Sequence, residues 1–251
     1  MNHLTEKIEQ AVDVLTKSKH AIAYTGAGIS VESGIPPFRG KDGLWNKYDP
    51  KYLDLDYFLS NPYKSWIVIK EIFYNFFGNA KPNAAHIGLA EMEKMGIIKA
   101  VVTQNIDNLH TEAGSQEVYE FHGNSRELVC LDDHSRYKVS DVSLENLPPK
   151  CKVCGNFLKP DFIFFGEQIP EDAHRKSFEA SRVCDVVIIV GSTGEVVPAA
   201  LVPQFAKQNG AFIIEINPEK SYFTDSITDL FIKGKASDVI EKISNQIKNL
   251  K

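Results

Sequence analysis

Four short apolar runs, at 21–25, 97–103, 185–190 and 211–216, alternate with helical patterns, and each stops at a glycine or a polar loop. Runs this continuous suit strands buried on both faces, as in parallel sheets covered by helices. Between them the spacing predicts helices. Residues 4–17 carry apolar side chains at Leu4, Ile8, Ala11, Val12 and Leu15, which is helical periodicity. Further helices are expected over 61–78, entered through Asn61-Pro62, over 84–95, ended by Gly96, and over 173–182, 199–208 and 236–248. A short strand is expected at 117–120. The pattern implies an α/β fold, a mostly parallel sheet with helices on both faces.

Such sheets bind ligands beyond the carboxyl ends of their strands, so the strand-end loops carry the functional argument. After the second run comes Thr103-Gln104-Asn105-Ile106-Asp107-Asn108-Leu109-His110, dense in amide, carboxylate and imidazole groups. After the first comes Gly26-Ala27-Gly28-Ile29-Ser30. Glycines there let backbone approach a pyrophosphate, and a following helix start offers free N–H groups. The spacing differs from the usual dinucleotide fingerprint, and no acidic residue ends the second strand to hold a ribose. A glycine-rich turn without a ligand is therefore the other reading of that fragment. Its continuation through Gly34, Pro36-Pro37, Phe38, Arg39 and Gly40 is a long irregular loop suited to covering a ligand.

Three more strand-end segments are of the same kind: Gly191-Ser192-Thr193-Gly194, Asn217-Pro218-Glu219, and Gly234-Lys235-Ala236 before the last helix. Phe121-His122-Gly123-Asn124 sets a histidine where it can exchange protons near neutral pH. A structural histidine bonded to backbone is the alternative there.

Residues 125–160 change character and hold three of the four cysteines. Cys151-Lys152-Val153-Cys154 is a knuckle suited to tetrahedral zinc. The upstream half, Cys130-Leu131-Asp132-Asp133-His134, lacks one thiolate; Asp133 stands in its place and His134 follows. A site of three cysteines with an oxygen or nitrogen ligand is one reading and a metal-free lobe the other. Cys184 reads as a buried apolar residue.

The bulk numbers exclude several classes. With 251 residues and 43% hydrophobic content, the chain can bury a full core as one domain with an inserted lobe. A net charge of -5 gives no electrostatic case for nucleic acid or an anionic membrane. No apolar stretch approaches a membrane span. Residues 1–10 are polar and resemble neither a signal nor a transit peptide. Four cysteines in this length fit a reducing cytoplasm better than a disulfide framework.

Together these segments resemble the sirtuin family of NAD-dependent protein deacylases. The match runs in order through Gly26 to Ser30, Glu32 to Pro36, Phe38 to Gly40, Gly43 to Trp45, Pro82-Asn83 with His86, Gln104 to Asp107, Leu109-His110 and His122 to Asn124. It continues through the cysteine pair, Pro160, Phe165 to Glu167, Gly191-Ser192, Pro198-Ala199, Asn217 and Gly234 to Ala236. The resemblance implies a Rossmann-like lobe, about 1–37, 84–124 and 161–251. It also implies a small lobe, about 38–83 and 125–160, made of a helical and a zinc-ribbon-like insertion. NAD and an acylated-lysine protein substrate would meet between them.

Carried onto these residues, Gly26, Ala27, Gly28 and Ser30 would cradle the pyrophosphate, and Phe38 and Arg39 would cover the nicotinamide ribose. Asn105, Ile106 and Asp107 would line the nicotinamide pocket, and Gln104 would hold its ribose. Gly191, Ser192, Thr193, Asn217, Pro218 and Ala236 would lie along the adenosine half. His122 would be the general base, with Asn105 and Asp107 beside it, and Cys130, Cys151, Cys154 and Asp133 would hold zinc. The implied activity is protein-lysine deacylation, first of acetyl groups, with the acyl group passed to ADP-ribose and nicotinamide released. An ADP-ribosyltransferase or NAD glycohydrolase on the same scaffold is the alternative.

Two departures shape the expectation. Gly194-Glu195 stands where many relatives carry apolar residues beside the peptide strand. Family members that remove succinyl groups carry a tyrosine and an arginine where alignment sets Ile69 and Ile72, so no guanidinium pairs an acyl carboxylate. Acetyl or a longer apolar acyl group is then favoured. The aromatic residues Phe73, Tyr74, Phe76 and Phe77 either leave room for the latter or simply pack the core.

Overall fold

The computed structural model describes residues 3–38 and 43–250, apart from the side chain of Phe76. Arg39 and Gly40, expected in the covering loop, lie outside the described residues. In chain order the elements are α1 (His3–Lys17), β1 (Ala21–Thr25), α2 (Leu55–Ser60), α3 (Pro62–Ile69), α4 (Ala84–Lys94), β2 (Ile98–Thr103), α5 (Leu109–Glu112) and β3 (Val118–Glu120). There follow β4 (Gly123–Cys130), β5 (Arg136–Lys138), β6 (Leu158–Phe162), α6 (Glu171–Val183), β7 (Val186–Val190), α7 (Leu201–Gln208), β8 (Phe212–Asn217), β9 (Leu230–Lys233) and α8 (Ala236–Leu250).

Six strands form one sheet in the order β3-β2-β1-β7-β8-β9, and every neighbouring pair is parallel. Strand order reverses between β1 and β7, which opens a crevice at their carboxyl ends. The pleat sends successive side chains to opposite faces. Ala21 and Ala23 join Val186, Ile188 and Val190 against α1, α4 and α8. Ile22 and Tyr24 join Val187 and Ile189 against α6 and α7. Both faces are apolar, which is why these strands read as unbroken runs. Asn83 caps α4: its side chain accepts from Ala85 N, and its own N–H donates to His86 Nδ1, a reciprocal capping box.

A second, antiparallel sheet in the order β5-β4-β6 rises from the region of polar turns and cysteines. Its side chains Leu128, Cys130, Leu158 and Phe162 share a core with Phe58, Trp66, Ile69, Ile72 and Phe73 from α2, α3 and the turns after them. The Trp66 indole donates to Leu158 O at 2.7 Å, tying the helical part to the cysteine-bearing part.

Three expectations change in detail. The helix anticipated over 61–78 is α3 followed by a π-helical turn, Lys70–Phe76, and a 3-10 turn, Phe77–Asn79. Phe73 and Phe77 are core residues and Tyr74 stacks on Trp66, so the described aromatics there are packing. The glycine turn after β1 runs into a 3-10 helix, Ala27–Ser33, rather than a regular helix. The strand β9 was not anticipated: four residues at the edge of a sheet carry too short a pattern to stand out before the strongly amphipathic α8.

Candidate active site

At the switch point two glycine turns interlock. Gly26 N donates to Val190 O at 3.1 Å and Gly28 N to Gly191 O at 2.8 Å. A Cβ on Gly28 would stand 2.6 Å from Gly191 Cα, and Gly191 itself has φ +64. Only glycine permits both the approach and the left-handed backbone at no cost. The result is a wall of bare backbone at the mouth of the crevice, beside the start of the 3-10 helix.

From the β2 end, one compact network fills the floor. Ser30 Oγ donates to Asp107 Oδ2 at 2.6 Å and accepts from Asn105 Nδ2 at 3.2 Å. Asn105 Nδ2 also reaches Gly26 O at 3.2 Å, which binds the loop after β2 to the loop after β1. Asp107 Oδ1 accepts from Leu109 N at 3.1 Å. Burial raises the Asp107 carboxyl above the usual range, against the pull of those two bonds. Asn108 takes the left-handed conformation, φ 66, so that the chain can turn from Asp107 into α5; asparagine tolerates it better than most residues. Ile106, buried, packs into the second core rather than into the sheet.

Behind Ser30 lie two buried histidines. Asn83 N can only donate, so His86 Nδ1 accepts and Nε2 carries the proton facing Ser30 Oγ at 3.4 Å. Burial lowers the His86 pKa to about 4. His110 packs against it at 4.9 Å between ring centroids and bonds Thr25 Oγ1 through Nε2 at 2.8 Å; burial and the neighbouring imidazole hold it far below its ordinary value. His86 and His110 carried motif positions in the sequence without a stated role; here they brace Ser30 and Thr25 from below.

His122 follows β3 and is half-buried. Its Nδ1 donates to Gln104 O at 3.1 Å, which fixes the tautomer and leaves Nε2 as an acceptor. Burial lowers its pKa in spite of that bond. Gln104 Nε2 in turn donates to Ser192 Oγ at 3.0 Å. Ser192 O accepts from Asn217 Nδ2 at 3.0 Å, and Asn217 O accepts from Gly234 N at 3.1 Å, just before buried Ala236. Thr193 and Pro218 are exposed at the same rim. The polar groups thus span the ends of β2, β1, β7 and β8, about 14 Å at the usual strand spacing, a length suited to an extended ligand. Phe38 sits to one side, its ring 5.3 Å from Trp45, which lies 6.2 Å from Phe165.

Apart from that crevice, Cys130, Asp133, Cys151 and Cys154 offer ligand atoms all within 4.8 Å of one another. Cys130 and Cys154 sulfurs are 3.4 Å apart, and Cys151 Sγ is 3.2 Å from Asp133 Oδ2. A tetrahedral zinc with bonds of about 2.0–2.3 Å separates its ligands by roughly 3.3–3.8 Å, so the donor set fits zinc. His134, the other candidate fourth ligand, is exposed with φ 61 and is not in the cluster. Cys184 is buried, its thiol pushed up to about 12.

A glycine turn at the switch point of a doubly wound parallel sheet, with an added lobe whose cysteine cluster could hold a metal, is the arrangement of dinucleotide-binding α/β proteins. The profile of the Sir2 family matches residues 26–198. The NAD-dependent protein deacylase 2 of Archaeoglobus fulgidus is 44% identical over 254 residues, covering 99% of both chains. The NAD-dependent protein deacylase of Pyrococcus furiosus is 45% identical, covering 94% of this chain and 96% of that one. Among solved structures, a Sir2 homologue mutant complexed with ADP-ribose superposes with TM-score 0.92 at 38% identity, covering 96% of this chain and 97% of that one. A Sir2 homolog–NAD complex gives TM-score 0.89 at 39% identity, covering 96% and 94%. The chain belongs to the Sir2 family, the sirtuins.

Proposed function

We propose that this chain is an NAD-dependent protein-lysine deacylase, acting first on acetyl-lysine, with His122 as its general base. The observation that carries the reading is that the half-exposed His122 ring is held on one side only. Gln104 O, in the loop that bears Asn105 and Asp107, takes its Nδ1 hydrogen, as it would for a structural histidine, while among the described residues its Nε2 has no hydrogen-bond partner. Curated relatives at 44% and 45% identity with the same activity support it. The residues present fit NAD. The side-chain-free backbone at Gly26 to Gly28 leaves room for a phosphate to approach closely, the Asp107 carboxyl can accept from a carboxamide, and Ser192, Asn217 and Ala236 would border the adenosine.

Bound NAD supplies the ribose carbon that takes up the acyl oxygen as nicotinamide departs. The chain's own residues do the rest. Asp107, held by Ser30 and Leu109 N, and Asn105, held by Gly26 O, orient the leaving carboxamide and present negative dipoles to developing positive charge. Gln104 holds a ribose and, through its carbonyl, aims His122. His122 Nε2 takes a hydroxyl proton, a step that contributes roughly 10²–10⁴ in rate.

A cavity of about 370 Å³, lined by Pro36, Leu44, Tyr48 and Ile72 together with the polar Lys47, Glu71 and Asn75, lies between the loop after Ile35 and the π-helical turn. Its apolar part suits acetyl or a longer apolar acyl group. Cys130, Cys151, Cys154 and Asp133 would hold a zinc ion that staples β4 to the knuckle before β6 and supplies no chemistry to the reaction. The reading keeps the two-lobe division, takes an acylated protein as partner rather than nucleic acid or membrane, and places the protein in a reducing cytoplasm. Among the described residues no helix is long and apolar enough to cross a membrane.

The test is nicotinamide release from NAD by the purified protein, with and without an acetyl-lysine peptide, with mass spectrometry of the products. Peptide-dependent release with O-acetyl-ADP-ribose is expected. Release independent of peptide, or label passed from NAD to protein, would replace deacylation with NAD hydrolysis or ADP-ribosyl transfer.

A further inference from the structure

One buried carboxylate that no step above uses is Glu215, wholly enclosed on β8. Its Oε1 accepts from Asn217 Nδ2 at 2.9 Å, Ser221 Oγ at 2.6 Å and Thr224 Oγ1 at 3.1 Å. Its Oε2 accepts from Thr224 Oγ1 at 2.9 Å and Thr228 Oγ1 at 2.8 Å. Each of these partners is a neutral amide or hydroxyl. A carboxyl group is costly to bury unless its oxygens are satisfied, and here three of the four donors come from one loop, 221–228.

That loop also reaches the turn after β7. Tyr222 N donates to Thr193 O at 3.0 Å. Phe223 lies against Gly194, where an added Cβ would meet its ring at 3.0 Å, and packs edge-on to Tyr24 with centroids 6.2 Å apart. Asn217 has two amide hydrogens. One goes to Glu215 and the other to Ser192 O. Glu215 therefore fixes Asn217 directly and the 192–194 turn by two routes, through Asn217 and through the loop.

We propose that Glu215 is the positioning residue for the adenosine half of the dinucleotide. It sets the Asn217 amide and the Ser192–Gly194 turn without touching the ligand. The inference rests on the placement of adenosine at Ser192, Asn217 and Ala236 given above. A methionine at this position removes both acceptor oxygens at nearly the same side-chain length. The threonine and serine hydroxyls can rotate to other acceptors, but the Asn217 amide hydrogen that faced Oε1 is left without one.

The experiment measures ADP-ribose binding by calorimetry, and steady-state kinetics, for the wild type, Glu215→Met, the Ser221→Ala/Thr228→Val double variant and Asn217→Ala. In Glu215→Met the ADP-ribose Kd and the KM for NAD should rise roughly 5- to 30-fold, the scale of a lost buried hydrogen bond, while kcat and the KM for acetylated peptide stay within about twofold. A merely structural role would not single out the NAD terms. The double variant should shift the same two quantities in the same direction by a smaller factor. Unchanged ADP-ribose affinity in Glu215→Met overturns the proposal, as does a fall in kcat with KM unchanged. If Glu215→Met fails to fold, unchanged affinity in the folded double variant overturns it equally. Asn217→Ala separates the two layers. Weakened binding there with none in Glu215→Met removes the Glu215 role alone; undiminished binding in Asn217→Ala removes the adenosine placement and this proposal with it.

Discussion

His122 Nδ1 donates to the main-chain carbonyl of Gln104 at 3.1 Å, across the gap between the loop after β3 and the loop after β2. A carbonyl can only accept, so one bond to backbone fixes which nitrogen of the neutral ring carries the hydrogen. A backbone partner does not titrate, so the ring keeps this tautomer wherever it is deprotonated.

Replacing His122 with alanine should reduce deacylation by about 10²- to 10⁴-fold and leave NAD binding intact, read by calorimetry beside turnover of an acetyl-lysine peptide. Burial lowers the His122 pKa, so kcat/KM should rise with pH through a midpoint below the ordinary 6.5 and be level by neutrality. Intact turnover in the alanine variant, or a midpoint above 6.5, would falsify the assignment.

Acid should weaken the fold through His86. Its pKa falls from 6.5 to about 4 on folding. A depressed pKa means the unfolded chain binds the extra proton, so the stabilisation is complete above pH 6.5 and is lost as pH falls toward 4. The full effect is on the order of 3 kcal/mol. Urea midpoints at pH 7 and pH 5 should differ more for the wild type than for His86→Gln.

One zinc per chain is expected by elemental analysis. Cys151→Ser should lose it and lower the melting temperature, since structural zinc contributes directly to folding. Asp133→Cys should keep it against higher chelator concentrations, because a fourth thiolate suits zinc better than a carboxylate. A metal content indifferent to Cys151→Ser would remove zinc from this cluster.

Acyl preference is read by offering acetyl-, longer alkanoyl- and succinyl-lysine peptides of one sequence. Ile69 and Ile72 are buried and apolar, and Lys47, the one cation lining the cavity among the described residues, faces Glu71 at 3.7 Å, so its charge is already balanced. Succinyl turnover should fall at least about tenfold below acetyl, the scale of an unpaired carboxylate entering an apolar wall. Efficient desuccinylation would mean that another cation faces the acyl group.

How much of this was legible in the sequence varied with the kind of signal. The central strands were readable because burial on both faces makes them continuously apolar, as in Val186–Val190. Gln104 to Asp107 stood out because polar groups crowd a strand end where a bland loop has no need of them, whereas His122 stood out only through the family resemblance, since its surroundings fit a backbone-bonded structural histidine as well. β4 to β6 were hidden: their pairing is non-local, and Lys159, wholly buried on β6, reads as a surface residue until its bonds to Pro160 O, Phe162 O and Glu167 are seen. Glu215 was missed for the same reason. A charged letter inside an apolar run gives no hint that three hydroxyls from residues 221–228 will fold back over it.

The interlocked glycines carry a consequence for redesign. Gly28 and Gly191 meet with no room for a side chain on either, so the turns after β1 and β7 behave as one joint and neither can be lengthened or rebuilt alone. An attempt to change which dinucleotide the protein accepts has to leave that joint whole and work at the exposed rim, where Thr193, Pro218 and Glu219 can be exchanged without disturbing the frame beneath them.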